Sequence, residues 1–250
     1  MVPIRKGDGT TVVPDGIGQV RTGDGRILFE GDAIPDSVVD NMDLYWQIDE
    51  GSGSDLEDSL GDVSATISGA EWSSDADFDN YLVFDGVDDE LQSDEEFFIN
   101  QSQSSHGFWL RADIDENGDY FYTDSLGNRP DDGYEGIQGD TNKIGLNFRN
   151  GGSSEANLEA DIVVGEWYFI GITLDGDNAD LYVFDDDGNL HDSGSTSSSG
   201  RGSESDSHFS MFGEHVRDFA EGDLESFMAG TDVLSQSDWG DIVDDTKPGA

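Results

Sequence analysis

Residues 165–190 read GEWYFIGITLDGDNADLYVFDDDGNL, which is two apolar runs joined by an acidic turn. Each run has the length and the aromatic and β-branched content of a β-strand. Aspartate suits the turn between them because its side chain hydrogen-bonds its own backbone. The stretch therefore predicts a β-hairpin whose ends are rich in carboxylates.

The first strand of this hairpin is apolar on both faces. Side chains alternate along a strand, so one face carries Trp167, Phe169, Gly171 and Thr173, and the other carries Tyr168, Ile170, Ile172 and Leu174. Two interpretations remain open. The strand is central in a sheet covered on both faces, or its second face is a functional concavity.

The rest of the chain from about residue 41 follows the same pattern. Short aromatic-rich runs, bounded by Gly, Asp, Asn and Ser, predict an all-β sandwich or barrel; they include DLYWQID, YLVFDG, HGFWLRAD, DYFYTD, KIGLNFR, ADLYVFD and HFSMFGE. No convincing amphipathic helix is predicted. At most one helical turn is expected over LSQSDWGDIV, capped by Ser235 or Ser237.

Residues 1–40 are predicted to be a separate segment, because the first 26 residues carry four basic against three acidic side chains, unlike the acidic remainder of the chain. Two Gly-Asp-Gly turns, in IRKGDGTTVV and IGQVRTGDGRILFE, predict two short hairpins. We interpret this segment as a docking arm for an acidic partner; its basic residues are Arg5, Lys6, Arg21 and Arg26. The alternative is an arm folded back on its own domain.

The charge balance limits the classes of partner. The chain has 57 acidic against 11 basic residues and a formal charge of -46. This excludes the usual basic footprint for nucleic acid and disfavours an anionic membrane surface. An acidic disordered or metal-buffering protein and a folded protein in very high salt both fit the charge. The apolar runs favour the second, since dense salt screens self-repulsion.

Cysteine and targeting signals are absent from the sequence. Without cysteine there are no disulfides and no thiol chemistry. No apolar stretch approaches the length of a membrane span, so membrane insertion is not expected. If Met1 is the true start, VPIRKGDGTT lacks a signal-peptide core, and export by a standard signal is not expected.

The order of the motifs resembles the concanavalin A-like jelly roll, specifically laminin-G-like domains of microbial and viral surface proteins. The resemblance covers about residues 42–245 and rests on LYWQIDEGSGSDLEDSLGD, ATISGAEWSSD with YLVFDGVDDEL, HGFWLRADI, EWYFIGITLDGDNADLYVFDDDG and FAEGDLESFMAGTDVLSQSDWGDI. It implies an antiparallel jelly-roll sandwich of two packed sheets. Residues 1–40 look similar to N-terminal segments of haloarchaeal tailed-virus structural proteins.

One acidic turn is a candidate calcium site. DGVDDE places Asp85, Asp88 and Asp89 on one turn, and their oxygens are hard donors of the type that Ca²⁺ prefers. The resemblance implies one structural or ligand-bridging calcium. DENGDY and DDDGNL offer similar donors, but neither completes an EF-hand loop. A merely solvated turn is the alternative for all three.

A long polar loop is the candidate glycan-binding site. Planar polar groups and an aromatic ring, the groups that bind sugars, occur in TDSLGNRPDDGYEGIQGD as Asn128, Arg129 and Tyr134. The alternative is that Arg129 only pairs locally with Asp131 or Asp132.

The segment EGDLESF is the one candidate for catalysis. Glu221, Asp223 and Glu225 alternate, which resembles the Glu-x-Asp-x-Glu strand of jelly-roll β-glucanases. Such a triplet arises by chance in so acidic a chain. Residue 222 is also a glycine where the glucanases have an aliphatic residue. We therefore expect a non-enzymatic protein, with a glycoside hydrolase as the least favoured alternative.

The leading hypothesis is a virion surface protein of a halophilic archaeal virus, such as a decoration, turret or tail-fibre component. Residues 1–40 would bind other virion proteins, and the jelly roll would bind host surface carbohydrate, outside the cell and in high salt. Lytic release would bring out a protein that lacks a signal. Virion symmetry predicts a homo-oligomer. The alternative is a carbohydrate-binding or adhesion module of a haloarchaeal cell.

Overall fold

A computed structural model of the 250-residue chain describes residues 34–61, 63–94, 103–113, 120–123, 134–140, 142–150, 153–197, 210–212 and 219–249, and four short N-terminal strands. The backbone alone is described in those four strands and in residues 120, 122–123, 134–140, 147–150 and 153–157.

Most of the described chain is β-strand. The first half contains β1 (Ile4–Arg5), β2 (Thr11–Val12), β3 (Gln19–Arg21), β4 (Ile27–Glu30), β5 (Leu44–Gln47), β6 (Asp55–Leu56), β7 (Ala65–Ser68), β8 (Glu71–Ser73), β9 (Tyr81–Asp85), β10 (Glu90–Ser93), β11 (Gln103–Asp113) and β12 (Tyr120–Thr123). The second half contains β13 (Tyr134–Asp140), β14 (Lys143–Asn150), β15 (Ser153–Asp161), β16 (Trp167–Asp175), β17 (Asn178–Asp185), β18 (Leu190–Ser197), β19 (Ser210–Met211) and β20 (Glu221–Gly230). The helices are α1 (Asp36–Asn41) and α2 (Gln236–Thr246).

Two antiparallel sheets form a sandwich of jelly-roll type. The helix-side sheet has the strand order β18-β17-β16-β11-β20-β9-β8, and β5 also pairs with β20. The far sheet has the order β15-β14-β13-β12-β19-β10-β7-β6. Apolar side chains of both sheets meet in one core that includes Phe84, Phe108, Ile144, Phe212 and Phe227. The all-β sandwich that the sequence predicts is confirmed.

The N-terminal hairpins are also confirmed as hairpins. β1 pairs with β2 and β3 pairs with β4, each pair antiparallel. Neither pair joins the two large sheets among the strands that the structure describes. Whether residues 1–40 bind a partner stays a prediction.

The hairpin at residues 165–190 consists of β16 and β17. Asp175 pairs with Asn178 across a turn of only two residues. The first of these, Gly176, has a φ of 61°, a left-handed conformation that suits glycine. The short turn fixes the register of the whole hairpin, so the predicted alternation of faces is kept.

The strand β16 is covered on both faces, as the first of the two interpretations predicts. Ile170 and Ile172 lie in the core between the sheets. Phe169 and Trp167 lie in a second apolar cluster on the outer face, together with Trp239 of α2 and Val38 of α1. Both helices therefore pack on the helix-side sheet.

The C-terminal helix is longer than the single turn that the sequence predicts. It spans 11 residues, and Ser235, one of the two predicted caps, forms a capping box with Asp238. Trp239, Ile242 and Val243 are buried against the sheet. The expectation of one turn was wrong because tertiary packing and the cap stabilise a sequence whose own helix propensity is low.

The loop before β7 is fastened by a single carboxylate. Asp58 Oδ1 accepts hydrogen bonds from the backbone N–H groups of Tyr45 and Leu60, both at 3.0 Å, and its Oδ2 accepts from Val63 N at 3.3 Å. A buried or half-buried N–H that loses its acceptor costs free energy unless water replaces it. Asp58 therefore anchors this loop to β5.

Replacing Asp58 with alanine is expected to lower the free energy of unfolding by about 2 kcal/mol, because three backbone donors lose their acceptor. Urea denaturation in molar salt measures this. Glu57→Ala is the matched control, since Glu57 is an exposed acid next in the chain. Equal stability of the two variants would show that Asp58 does not anchor the loop.

Candidate functional site

The turn between β9 and β10 brings Asp85, Asp88 and Asp89 together. One carboxylate oxygen from each lies within 4.8 Å of the others. Asp85 and Asp88 are exposed, whereas Asp89 is only 6% exposed. Oxygens at these separations can bind one Ca²⁺, whose Ca–O distances are about 2.3–2.6 Å.

Backbone contacts hold two of these carboxylates in place. Asp89 Oδ2 accepts from Asp85 N at 2.8 Å, and Asp85 Oδ1 accepts from Val87 N at 2.9 Å. Gly69, at a φ of 85°, packs so closely on Asp89 that a Cβ there would overlap its carboxylate. The neighbouring β7–β8 connection thus packs against Asp89 and limits the positions that its carboxylate can take.

The electrostatics of this turn favour a bound cation. Burial raises the pKa of Asp89 above its usual value, and repulsion from Asp85 and Asp88 adds to the rise. The hydrogen bond from Asp85 N opposes it. No basic side chain forms an ion pair with this cluster among the residues that the structure describes. A divalent cation would relieve the repulsion.

The predicted glycan-binding loop lies largely outside the described residues. Asn128 and Arg129 belong to that undescribed stretch, and Tyr134 is described only as the first backbone position of β13. The strands on either side, β12 and β13, are antiparallel neighbours in the far sheet. Tyr134 is paired with Arg149 of β14.

The predicted docking residues are described only in part. Arg5 lies in β1, opposite Thr11, and Arg21 lies in β3, opposite Ile27. Lys6 and Arg26 lie outside the described residues. The assignment of these four to a docking surface stays a prediction.

The alternating acids of β20 are in three different environments. Glu221 is exposed at the start of the strand, and Asp223 Oδ2 is held by Arg111 Nε at 2.6 Å. Glu225 is the extra residue at a bulge opposite Trp109 and Leu110, and its Oε2 is buried without a hydrogen-bond partner among the described residues. The three acids therefore differ in burial and in hydrogen bonding, although they alternate in the sequence.

A cluster around Arg111 was not predicted from the sequence. Its guanidinium also bonds Asp75 Oδ2 at 2.8 Å and donates to the Tyr81 hydroxyl at 3.0 Å. It lies 5.0 Å from the Tyr81 ring centroid and 4.8 Å from that of Trp167. One signal could have found it, since a lone cation follows the apolar run HGFWL.

The residues around Arg111 stabilise the fold and do not form a surface on which a sugar could stack. Tyr81 and Trp167 are 5% and 3% exposed, so their ring faces are closed to a ligand. Burial alone would lower the pKa of Arg111, but the bonds to Asp75, Asp223 and Tyr81 raise it. The guanidinium therefore stays charged and fastens the loop around Asp75 to the helix-side sheet.

Comparisons with known proteins find similarity in structure alone. No protein-family model matches the chain. No curated protein matches it in sequence.

Solved structures with the same fold include botulinum neurotoxin binding domains. The serotype D binding domain has a TM-score of 0.64 at 15% identity, over 84% of this chain and 53% of that one. The binding domain of neurotoxin DC in complex with SialylT has a TM-score of 0.63 at 15% identity, over 83% and 52%. The same domain with rat synaptotagmin II has 0.63 at 17%, over the same shares.

These likenesses establish the fold that the chain shares with known binding domains. The chain spans about half the length of those structures. These neighbours are binding domains of neurotoxins, one of them in complex with SialylT and another with rat synaptotagmin II.

Proposed function

We propose that this protein is a non-enzymatic, lectin-like surface protein of a halophilic archaeal virus, which binds carbohydrate on the host envelope. The observation that carries the proposal is the fold: a jelly-roll sandwich with two hairpins outside its sheets. The sandwich is the binding domain, and the hairpins of residues 1–40 anchor it to other virion proteins.

The binding role has support from the structural neighbours. They are binding domains, and one of them is in complex with SialylT. On the helix-side sheet the outer surface is taken up by α1 and α2. We therefore assign the ligand to the far sheet, with Asn128, Arg129 and Tyr134 as its predicted contacts.

The charge of the protein supports an environment of high salt. A formal charge of -46 on 250 residues suits a particle in molar salt, where screening acts over about 3 Å. The same charge disfavours nucleic acid as a partner. No helix among the described residues is long and apolar enough to cross a membrane. Symmetric repetition in a virion makes the protein a homo-oligomer.

The anchoring role is tested with purified haloarchaeal virions. Mass spectrometry should find the full chain in particles, and a chain that lacks residues 1–33 should be absent from them, since this truncation removes the hairpins and spares α1, whose Val38 packs on the helix-side sheet. As a control, the truncated chain must keep the thermal unfolding transition of the sandwich. Recovery of the full chain in a cell-envelope fraction instead would favour the alternative, a cellular adhesion module.

We also propose that Asp85, Asp88 and Asp89 bind a structural calcium ion. Calcium at about a hundredfold above its Kd should raise the unfolding midpoint by about 5 °C, because binding to the folded state alone stabilises it. Asp88→Asn should abolish the shift, since Asp88 is exposed and its loss spares the core. Asp186→Asn, in the other acidic turn, is the matched control. A shift that survives Asp88→Asn would overturn this assignment.

A further inference from the structure

The helices take up the outer face of the helix-side sheet over its central strands but not along its β17–β18 edge. Trp239 of α2 packs on Gly171 of β16, and Tyr182 of β17 is paired with Gly171. Ser193 of the edge strand β18 is paired with Tyr182 and is exposed. Residues paired across strands share a face. The outer face that α2 covers at β16 is therefore open to solvent at β18.

A carboxylate and a second hydroxyl lie next to Tyr182 on this open edge. Asp180 points to the same face of β17, and the exposed Ser195 of β18 is paired with it. Within the described residues, neither the Asp180 carboxylate nor the Tyr182 hydroxyl takes part in a hydrogen bond. Burial and the charge of Asp180 raise the pKa of Tyr182, so its hydroxyl stays protonated. Donors and acceptors are thus both available to a ligand.

The ring of Tyr182 is accessible, unlike the rings of Tyr81 and Trp167 in the Arg111 cluster. Tyr182 is half-buried and packs at the margin of the apolar cluster that contains Trp239. No other aromatic ring of the described chain stacks on it. Tyrosine combines an apolar ring with a polar tip, so it can contact both the C–H face and the hydroxyl groups of a sugar.

A glycine of α2 leaves space beside this edge. Gly240 lies inside the helix, where glycine is less favourable than alanine. Gly240 is only partly exposed, yet a Cβ there would meet no heavy atom within 4 Å, so the fold does not require a glycine. Gly240 shares one side of the helix with Asp244 and Lys247, and Lys247 Nζ donates to Asp187 O in the β17–β18 turn. The open space at Gly240 therefore faces β17 and β18.

We propose that the recess between α2 and β18, defined as Asp180, Tyr182, Ser193, Ser195 and Gly240, binds one residue of an uncharged oligosaccharide. The sugar ring packs on Tyr182 in the space beside Gly240. Its hydroxyl groups donate to the Asp180 carboxylate and exchange hydrogen bonds with the two serines. The inference rests on the proposed carbohydrate-binding role and adds a second binding surface to that of the far sheet.

The charges around the recess favour an uncharged sugar over other ligands. In the part of the chain that the structure describes, no basic side chain forms an ion pair with Asp180. An anionic glycan would therefore be repelled by Asp180 and by the acidic chain as a whole. A basic peptide would gain little from Asp180, because molar salt screens a single exposed ion pair.

The test is calorimetric titration of the full chain, in molar salt, with uncharged glucose, galactose and mannose oligosaccharides. The wild type should bind one of them. Gly240→Gln fills the recess and should weaken that binding by about tenfold or more or, where the far sheet binds as well, lower the number of oligosaccharides bound per chain. Its thermal unfolding midpoint should not fall, since glutamine favours a helix more than glycine does. Asp241→Gln, at the exposed neighbouring position, is the matched control and should change binding by less than about twofold.

A second variant, Asp180→Ala, tests the recess from the side of the sheet and should also weaken binding by about tenfold. Affinity and stoichiometry that are unchanged in both Gly240→Gln and Asp180→Ala overturn the recess and leave the lectin role intact. Binding of a lysine-rich peptide in place of any oligosaccharide, with loss in Asp180→Ala, also overturns it. Binding of no oligosaccharide overturns the lectin role as well.

Discussion

Replacing Trp239 with alanine is expected to lower the free energy of unfolding by about 3 to 5 kcal/mol. The indole is fully buried over Gly107 and Gly171, which face each other across β11 and β16. Its Nε1 donates to Thr173 Oγ1 at 2.9 Å. The substitution removes both the packing and the hydrogen bond, and it leaves a cavity between α2 and the sheet. Urea denaturation in molar salt measures the loss.

Two further variants test whether the contact with the glycines is the cause. Trp72→Ala is the matched control, because Trp72 is only half-buried and should cost about 1 to 2 kcal/mol. Gly171→Ala places a Cβ within 3.2 Å of three indole atoms and should destabilise the wild type. The same change should cost much less in the Trp239→Ala background. Additive effects of the pair, or a Trp239→Ala cost no greater than that of Trp72→Ala, would contradict this packing.

Replacing Glu225 with glutamine is expected to stabilise the protein at alkaline pH. Burial raises the pKa of Glu225 from its usual 4.5 to about 8; Asp49 adds repulsion, and Ser226 opposes the rise. The unfolded chain releases this proton near pH 4.5, whereas the folded chain keeps it until about pH 8. Wild-type stability from this group therefore falls as pH rises through that window.

The stability difference between Glu225→Gln and the wild type is expected to be large at alkaline pH and small at acid pH. Near pH 9, Glu225→Gln should be more stable than the wild type by about 2 to 4 kcal/mol, less than the full shift implies because part of the side chain is exposed. Near pH 4 the two should be alike to within about 1 kcal/mol. Glu166→Gln, at an exposed position, controls for the loss of one surface charge. A difference between wild type and Glu225→Gln that does not grow with pH would contradict the buried-carboxyl account.

The sandwich itself was predictable because its signals are local. Alternating apolar residues and a two-residue turn determine β16 and β17, and both features occur within one short stretch of the sequence. The length of α2 was not predictable from its own sequence. Only three of its residues are buried, and each is buried by a sheet formed elsewhere in the chain. Packing of Trp239 on Gly107 and Gly171 provides stabilisation that the low helix propensity of this segment does not.

The candidate sites also differ in whether their residues are close together in the sequence. Asp85, Asp88 and Asp89 were predictable as a group because they lie on one turn. The Arg111 cluster was not, because its partners Asp75 and Asp223 are 36 and 112 residues away in sequence.

Carbohydrate recognition is the central claim, and binding of the purified full chain to haloarchaeal cells in molar salt tests it most directly. Cells are compared before and after mild periodate oxidation, which destroys vicinal diols of surface glycans. Our account predicts saturable binding to untreated cells and its loss after oxidation. Binding that is unchanged by oxidation, or no binding to untreated cells, would contradict it.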